Sequence, residues 1–177
     1  MDWGFSSDEY AYIRISVDNR KKIIYICNEI YQTGLTLAQT ANYIKSLVRD
    51  DTVYCDSAEP RSIYEYNEYH NINAIGVKKF QNSRRASIEY IKEYEILIHP
   101  NCVNFHNEIM QYRYKQDKDG RTLPEVVEKE DHLIDALRYA VMSDIKYDMK
   151  DDRQTASMKL HKKLAQSIKT RNIHNYR

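Results

Sequence analysis

Glycine and proline are scarce, 4 and 3 residues in a chain of 177. So few breakers exclude a low-complexity or disordered chain, and 42% hydrophobic with 30% charged residues suits one folded unit of ordinary size. Cysteine is equally sparse. Cys27, Cys55 and Cys102 are odd in number and lack C-x-x-C spacing, which excludes a disulfide framework and a structural zinc site and fits a reducing compartment. Long apolar runs are missing too: the longest are four or five residues, against the ~20 that span a bilayer. With no charged-then-apolar leader, a cytoplasmic protein without membrane contact is expected. Neither G-x-x-x-x-G-K-[ST] nor G-x-G-x-x-G occurs, so no nucleotide is expected to bind this chain through a glycine-rich loop.

Acidic residues are absent from one stretch. Residues 153–177 carry Arg153, Lys159, Lys162, Lys163, Lys169, Arg171 and Arg177 with no Asp or Glu, leaving 20 basic against 26 acidic side chains before them, a net of −6. The division expected is an α/β domain over 1–147 and a basic C-terminal tail over 148–177. The tail is either a solvated terminus or a docking surface for phosphate or a partner.

What is present is an alternation of short β-rich and helical patterns. Ala11–Val17 and Lys22–Ile30 read as a strand pair around Asp18-Asn19-Arg20. Thr36 can cap a helix in which Leu37, Ala41, Ile44, Leu47 and Val48 recur at helical spacing. Thr52–Cys55 reads as strand, Pro60–His70 as helix with Pro in its first turn, and Ala74–Val77 as strand. Ser83 can cap Arg84–Tyr94, Ile96–Ile98 is another apolar run, and Val103–Tyr114 reads as helix before the Asp119-Gly120 turn. Asp131–Tyr147 closes the domain as a helix with Leu133, Ile134, Leu137, Val141 and Ile145 on one stripe. Strand and helix in alternation predict a partly parallel sheet with helices on its faces. The sixteen Tyr suit core and rim positions, where the ring is buried and the hydroxyl wet, with base stacking as the other use.

Three carboxylates sit where a lone charge is costly. Asp2 opens Trp-Gly-Phe, Asp56 ends Val53-Tyr54-Cys55, and Asp135 lies between Ile134 and Ala136. Such residues are hydrogen-bonded caps or ligands of hard cations. For Asp56, at a strand's carboxyl end, the choice is between capping the Pro60 helix and serving a site. The stretches Asp2-Trp3-Gly4-Phe5-Ser6, Asp56-Ser57-Ala58-Glu59-Pro60-Arg61-Ser62-Ile63 and Asp131-His132-Leu133-Ile134-Asp135-Ala136-Leu137-Arg138-Tyr139 resemble, in order and spacing, the nuclease domain of phage terminase large subunits. The resemblance covers about residues 2–142.

That resemblance implies a ribonuclease H-like α/β fold, a mixed β-sheet flanked by α-helices. It implies a metal-dependent endonuclease cutting concatemeric double-stranded DNA with little sequence specificity during phage genome packaging. Asp2, Asp56, Asp135 and His132 would be catalytic, and Asp2, Asp56, Asp135 and Asp131 would hold two divalent ions, Mg²⁺ or Mn²⁺. The partners implied are double-stranded DNA, the terminase ATPase domain, the small terminase subunit and the portal. Independently, Asp131 and Asp135 are four apart and His132 and Asp135 three apart, so each pair shares a helix face. Three carboxylates suit the chemistry, because two hard cations about 4 Å apart stabilise the charge that develops when water attacks a phosphodiester in line. Lys78, Lys79, Arg84 and Arg85 form either a DNA-backbone contact or a solvated loop. Glu59 enriches its helix's first turn or supports the metals, and Arg138 is the expected ion-pair partner of Asp135. Only Met1 precedes Asp2, where the family places strand, so a shortened strand is expected. Two rivals remain: a catalytically weak assembly module docking to the portal or other terminase parts, and a junction resolvase of the same fold.

Overall fold

The structure, a computed structural model, describes residues 1–4, 9–48, 50–112, 114–116, 118–119, 122–126 and 131–143, at 114–116 and 122–126 by backbone alone. The expected tail from 148 and the last turn before Tyr147 lie outside the described residues. Strands β1 (Tyr10–Asp18) and β2 (Ile23–Gln32) form an antiparallel pair, and β5 (Glu95–Ile98) joins β2 in parallel. Strands β3 (Val53–Cys55) and β4 (Ala74–Gly76) pair in parallel. Asp18 closes the first hairpin, its Oδ1 accepting from Arg20 N at 3.1 Å and Lys21 N at 3.0 Å. A bulge at Arg14/Ile15 passes over Cys27, which stands in β2 with no opposite number in the ladder.

Two residues join these two sheets. Asp2 exchanges backbone hydrogen bonds with Ala11 at 2.8 and 3.1 Å, an antiparallel bridge to β1. On the other side, Met1 N donates to Tyr54 O at 2.7 Å and Asp56 N to Met1 O at 3.1 Å. This slanted pattern is a parallel one and sets Met1 level with Cys55. The strand order is therefore β5-β2-β1, residues 1–2, β3, β4, a mixed sheet as expected.

Period-2 alternation sorts side chains to opposite faces. Tyr10, Tyr12, Val53, Cys55 and Ala74 are buried with Ala41, Ile44 and Val48 of α1 (Leu37–Val48) and Tyr66 of α2 (Pro60–His70). Tyr54 packs instead toward Val77 and toward Tyr139 and Met142 of α5 (residues 132–143). Helix α1 opens on a capping box: Thr36 Oγ1 accepts from Gln39 N at 3.3 Å, and Gln39 Oε1 accepts from Thr36 N at 2.8 Å. Helix α2 has Pro60 in its first turn and ends at Asn71 in the left-handed region, φ 51°. Asn67 ties it to β4 by donating to Ala74 O at 2.9 Å and accepting from Ala74 N at 3.1 Å.

Helix α3 (Ser83–Lys92) corrects one expectation. Its N-cap is Asn82, at φ 63°, whereas Ser83 lies inside the helix and is buried. Helix α4 (Val103–Gln111) ends earlier than expected, and Tyr114 begins β6 (Tyr114–Gln116), which runs antiparallel to β7 (Thr122–Val126). A carboxylate from a distant strand starts α4: Glu29 accepts from Asn104 N and Phe105 N, both at 2.8 Å. Among the described residues no helix is long and apolar enough to cross a membrane.

Candidate metal centre

The parallel register that sets Met1 level with Cys55 also sets Asp2 level with Asp56, at neighbouring carboxyl ends of the sheet. Trp3 holds this end closed by donating Nε1–H to Asp56 O at 2.9 Å. The Asp56 carboxylate accepts from Ala58 N at 3.0 Å, a turn within its own loop. The cap of α2 is Glu59, without a side-chain cap bond, so Asp56 does not cap that helix.

Helix α5 brings the third carboxylate. Glu108 of α4 accepts from Leu133 N at 3.1 Å and Ile134 N at 2.9 Å, satisfying two orphan donors of its first turn from another helix. Burial pushes the Glu108 carboxyl up to about 7 against these bonds. His132, also in this turn, lies between two carboxylates, with Nδ1 3.1 Å from Asp2 Oδ2 and Nε2 3.5 Å from Glu9 Oε2. Asp135 is held by Arg138, which is 4% exposed and whose Nε donates to the buried Ser87 hydroxyl at 2.9 Å. Arg84 pairs with Asp131 and stands 3.9 Å from Asp135. Burial and the Asp135 charge push Asp131 up, with Arg84 opposing.

Tyr139 of α5 reaches the second of these carboxylates. Burial, then the charges of Asp135, Asp2 and Asp56, push its hydroxyl well above the ordinary tyrosine range, and it donates to Asp56 Oδ2 at 3.1 Å. Asp56 also takes Lys79 Nζ, at 2.8 Å from Oδ1 and 2.9 Å from Oδ2. Burial alone would raise Asp56, but the bonds from Lys79 and Ala58 outweigh it and hold the carboxyl below its usual value.

Of the four expected DNA contacts, Lys78, Lys79 and Arg85 are exposed, Lys79 being paired with Asp56, whereas the half-buried Arg84 is paired with Asp131. Among the described residues no three His, Cys, Asp or Glu side chains are grouped closely enough to hold a metal ion as they stand. The donor set is three carboxylates from three elements, each on a protein cation or imidazole. Oxygen donors of this kind suit hard divalent ions far better than zinc. Sequence reasoning missed Glu9, Glu108 and the position of Tyr139. Glu9 and Glu108 reach the site across the fold with no local pattern, and Tyr139 stood inside a motif without a role of its own.

The model of the terminase RNase H-like domain matches residues 2–143, from the first of these carboxylates to the end of α5. The chain belongs to this family. It is 34% identical over 150 residues to the terminase large subunit of Bacillus phage SPP1, covering 82% of this chain and 36% of that protein. With the PBSX phage terminase large subunit of Bacillus subtilis strain 168 it shares 30% over 162 residues, 90% of this chain and 36% of that one. The chain thus spans about a third of the length of these curated relatives. The crystal structure of the SPP1 large terminase nuclease domain with bound Mn superposes with a TM-score of 0.73 at 32% identity, covering 81% of this chain and 83% of that one. The ribonuclease H-like fold expected from the sequence is therefore the fold found.

Proposed function

We propose that this terminase domain is a metal-dependent endonuclease that hydrolyses concatemeric double-stranded DNA during phage genome packaging, with little sequence specificity. The observation that carries the reading is the parallel register that sets Asp2 level with Asp56 at neighbouring carboxyl ends of the sheet, with Asp2 3.1 Å from His132 on the helix that also bears Asp135, in the fold of a nuclease domain crystallised with Mn. Asp2, Asp56 and Asp135 would hold two divalent ions, Mg²⁺ or Mn²⁺, with Asp131 as a further ligand once Arg84 turns away. When bound, such ions activate water and neutralise the charge developing on the phosphodiester oxygens. The chain's own residues do the rest. Asp2 orients the His132 ring through Nδ1, which leaves Nε2, toward Glu9, as the position where a proton can be taken up or released. Tyr139 and Ala58 N each hold one oxygen of Asp56 and so fix the orientation of its carboxylate. Lys78 and Arg85 are exposed cations for the DNA backbone, and a footing on phosphates alone makes binding fall steeply with salt.

The ATPase domain, small subunit and portal are the partners of this reading. Conversion of supercoiled plasmid to nicked and linear forms tests it, with Mn²⁺ or Mg²⁺, an EDTA control and Asp135→Asn. Metal-dependent cleavage lost in the variant supports the enzyme, and a folded chain inert with both metals removes it. One observation favours a second reading, an assembly module of weak activity: Asp56 and Asp135 already hold protein cations. That module would bind portal or other terminase parts equally well with EDTA present.

A further inference from the structure

Lys79 stands on the loop just beyond β4, yet its ammonium lies against both oxygens of Asp56, at 2.8 and 2.9 Å, and 5.3 Å from the centroid of the Tyr139 ring. With Ala58 N and the Tyr139 hydroxyl as the other partners, Lys79 takes the outward side of this carboxylate. That is the side a divalent ion would need. The other cation at the centre is built differently. Arg138 is buried, bonded to Ser87 and stacked 5.8 Å from the same ring, so it cannot leave without stranding a charge. The Lys79 side chain is 48% exposed against 15% for Asp56. A half-exposed lysine is a compact charge on a flexible stem, weakly held and able to swing into water.

We propose that Lys79 is an exchangeable counter-ion of Asp56. It neutralises the carboxylate while no divalent cation is bound, leaves when one binds, and then offers its ammonium to the phosphate of the incoming DNA. Lysine and divalent cation exclude each other at one carboxylate, so each weakens the other by the same factor. The released ammonium makes the DNA footing stronger once metal is in place. This rests on the metal reading of Asp2, Asp56 and Asp135 and adds a positioning residue to it.

Mn²⁺ titration of the 177-residue chain without DNA, followed by the electron spin resonance of free Mn²⁺, separates the two. Lys79→Met is expected to bind Mn²⁺ about three- to fivefold more tightly than the parent, the scale of a half-exposed ion pair. Lys79→Arg keeps the pair and shows no gain. Lys78→Met, which removes the same charge one residue away, changes affinity by less than about twofold if simple charge loss is screened at the surface. In the parent, acetylation of Lys79 by an activated ester, read by mass spectrometry, speeds up when Mn²⁺ is added. If the parent binds Mn²⁺ and Lys79→Met binds no more tightly, or if Lys78→Met gains as much, the exchange is overturned while the metal site stands. If none of the chains binds Mn²⁺, the metal reading fails and the exchange with it.

Discussion

Met1 and Asp2 are neighbours in one short bridge of the sheet, and their side chains enter opposite worlds. Met1 joins a dry, neutral network beneath α1 and α2: its Sδ accepts from Tyr10 OH at 2.9 Å, Tyr10 OH lies 3.3 Å from Tyr66 OH, and Tyr66 OH lies 2.6 Å from Thr40 Oγ1. Asp2 joins the charged network of His132, Lys79, Arg84 and Arg138 on the α5 side. Neutral hydroxyls satisfy one another and leave nothing to recruit from outside. Part-buried carboxylates paired with cations keep a demand for positive charge that solution ions can also meet. Period-2 alternation thus lets two consecutive residues serve stability on one face and chemistry on the other.

Substitutions on the two faces should therefore fail in different ways, and the largest effect belongs to the charged face. Asp56→Asn is expected to cut the plasmid-nicking rate about a thousandfold or more, since metal-held charge supplies several kcal/mol at the transition state, while the urea midpoint barely moves. Arg138→Met, on the same face, should lower stability by roughly 3 kcal/mol in urea unfolding, because it leaves Asp135 and Ser87 without their buried partner. On the neutral face, Tyr66→Phe removes two hydroxyl contacts and should cost about 1–2 kcal/mol in the same measurement, with nicking unchanged per folded molecule. A nicking rate that fell with Tyr66→Phe would break the separation of the two faces.

The smallest effect is a slope. Glu108 titrates near 7 in the folded chain against 4.5 for an ordinary glutamate. A carboxyl whose folded value is raised contributes its full stability below about pH 4.5 and loses it as pH climbs through about 7. Glu108→Gln should flatten this part of the stability curve, measured by urea unfolding at stepped pH. An unchanged slope would place the buried charge elsewhere.

Much of this was legible in the sequence, and the limits are physical. Strands and helices were readable wherever a local rule governs them: apolar alternation in Ala11–Val17, Thr36 as the cap of α1, Pro60 opening α2. The Asp motifs carried the family, which the match over residues 2–143 bears out. Ser83 was misread because the residue that caps α3 does so through a left-handed backbone at Asn82, with no side-chain bond to signal it. Glu29 and Glu108 cap helices from across the fold, so no spacing announces them. Lys79 looked like one more exposed cation in a basic cluster, and only the parallel register of β3 with β4 brings its loop onto Asp56. The sheet order itself rests on the backbone bonds of Met1 and Asp2 to Tyr54, Asp56 and Ala11, which no periodicity marks.

Those two residues also set a timetable. Hairpin β1-β2 closes through neighbours in the chain, whereas the bridge must draw Met1 to Tyr54, 53 positions away. Contacts that close long loops are slow to form, since the chain gives up its freedom before the contact rewards it. Asp2 and Asp56 are therefore brought level only when the sheet's two parts dock, and a partly folded chain holds its acidic residues apart. The site is an end product of folding.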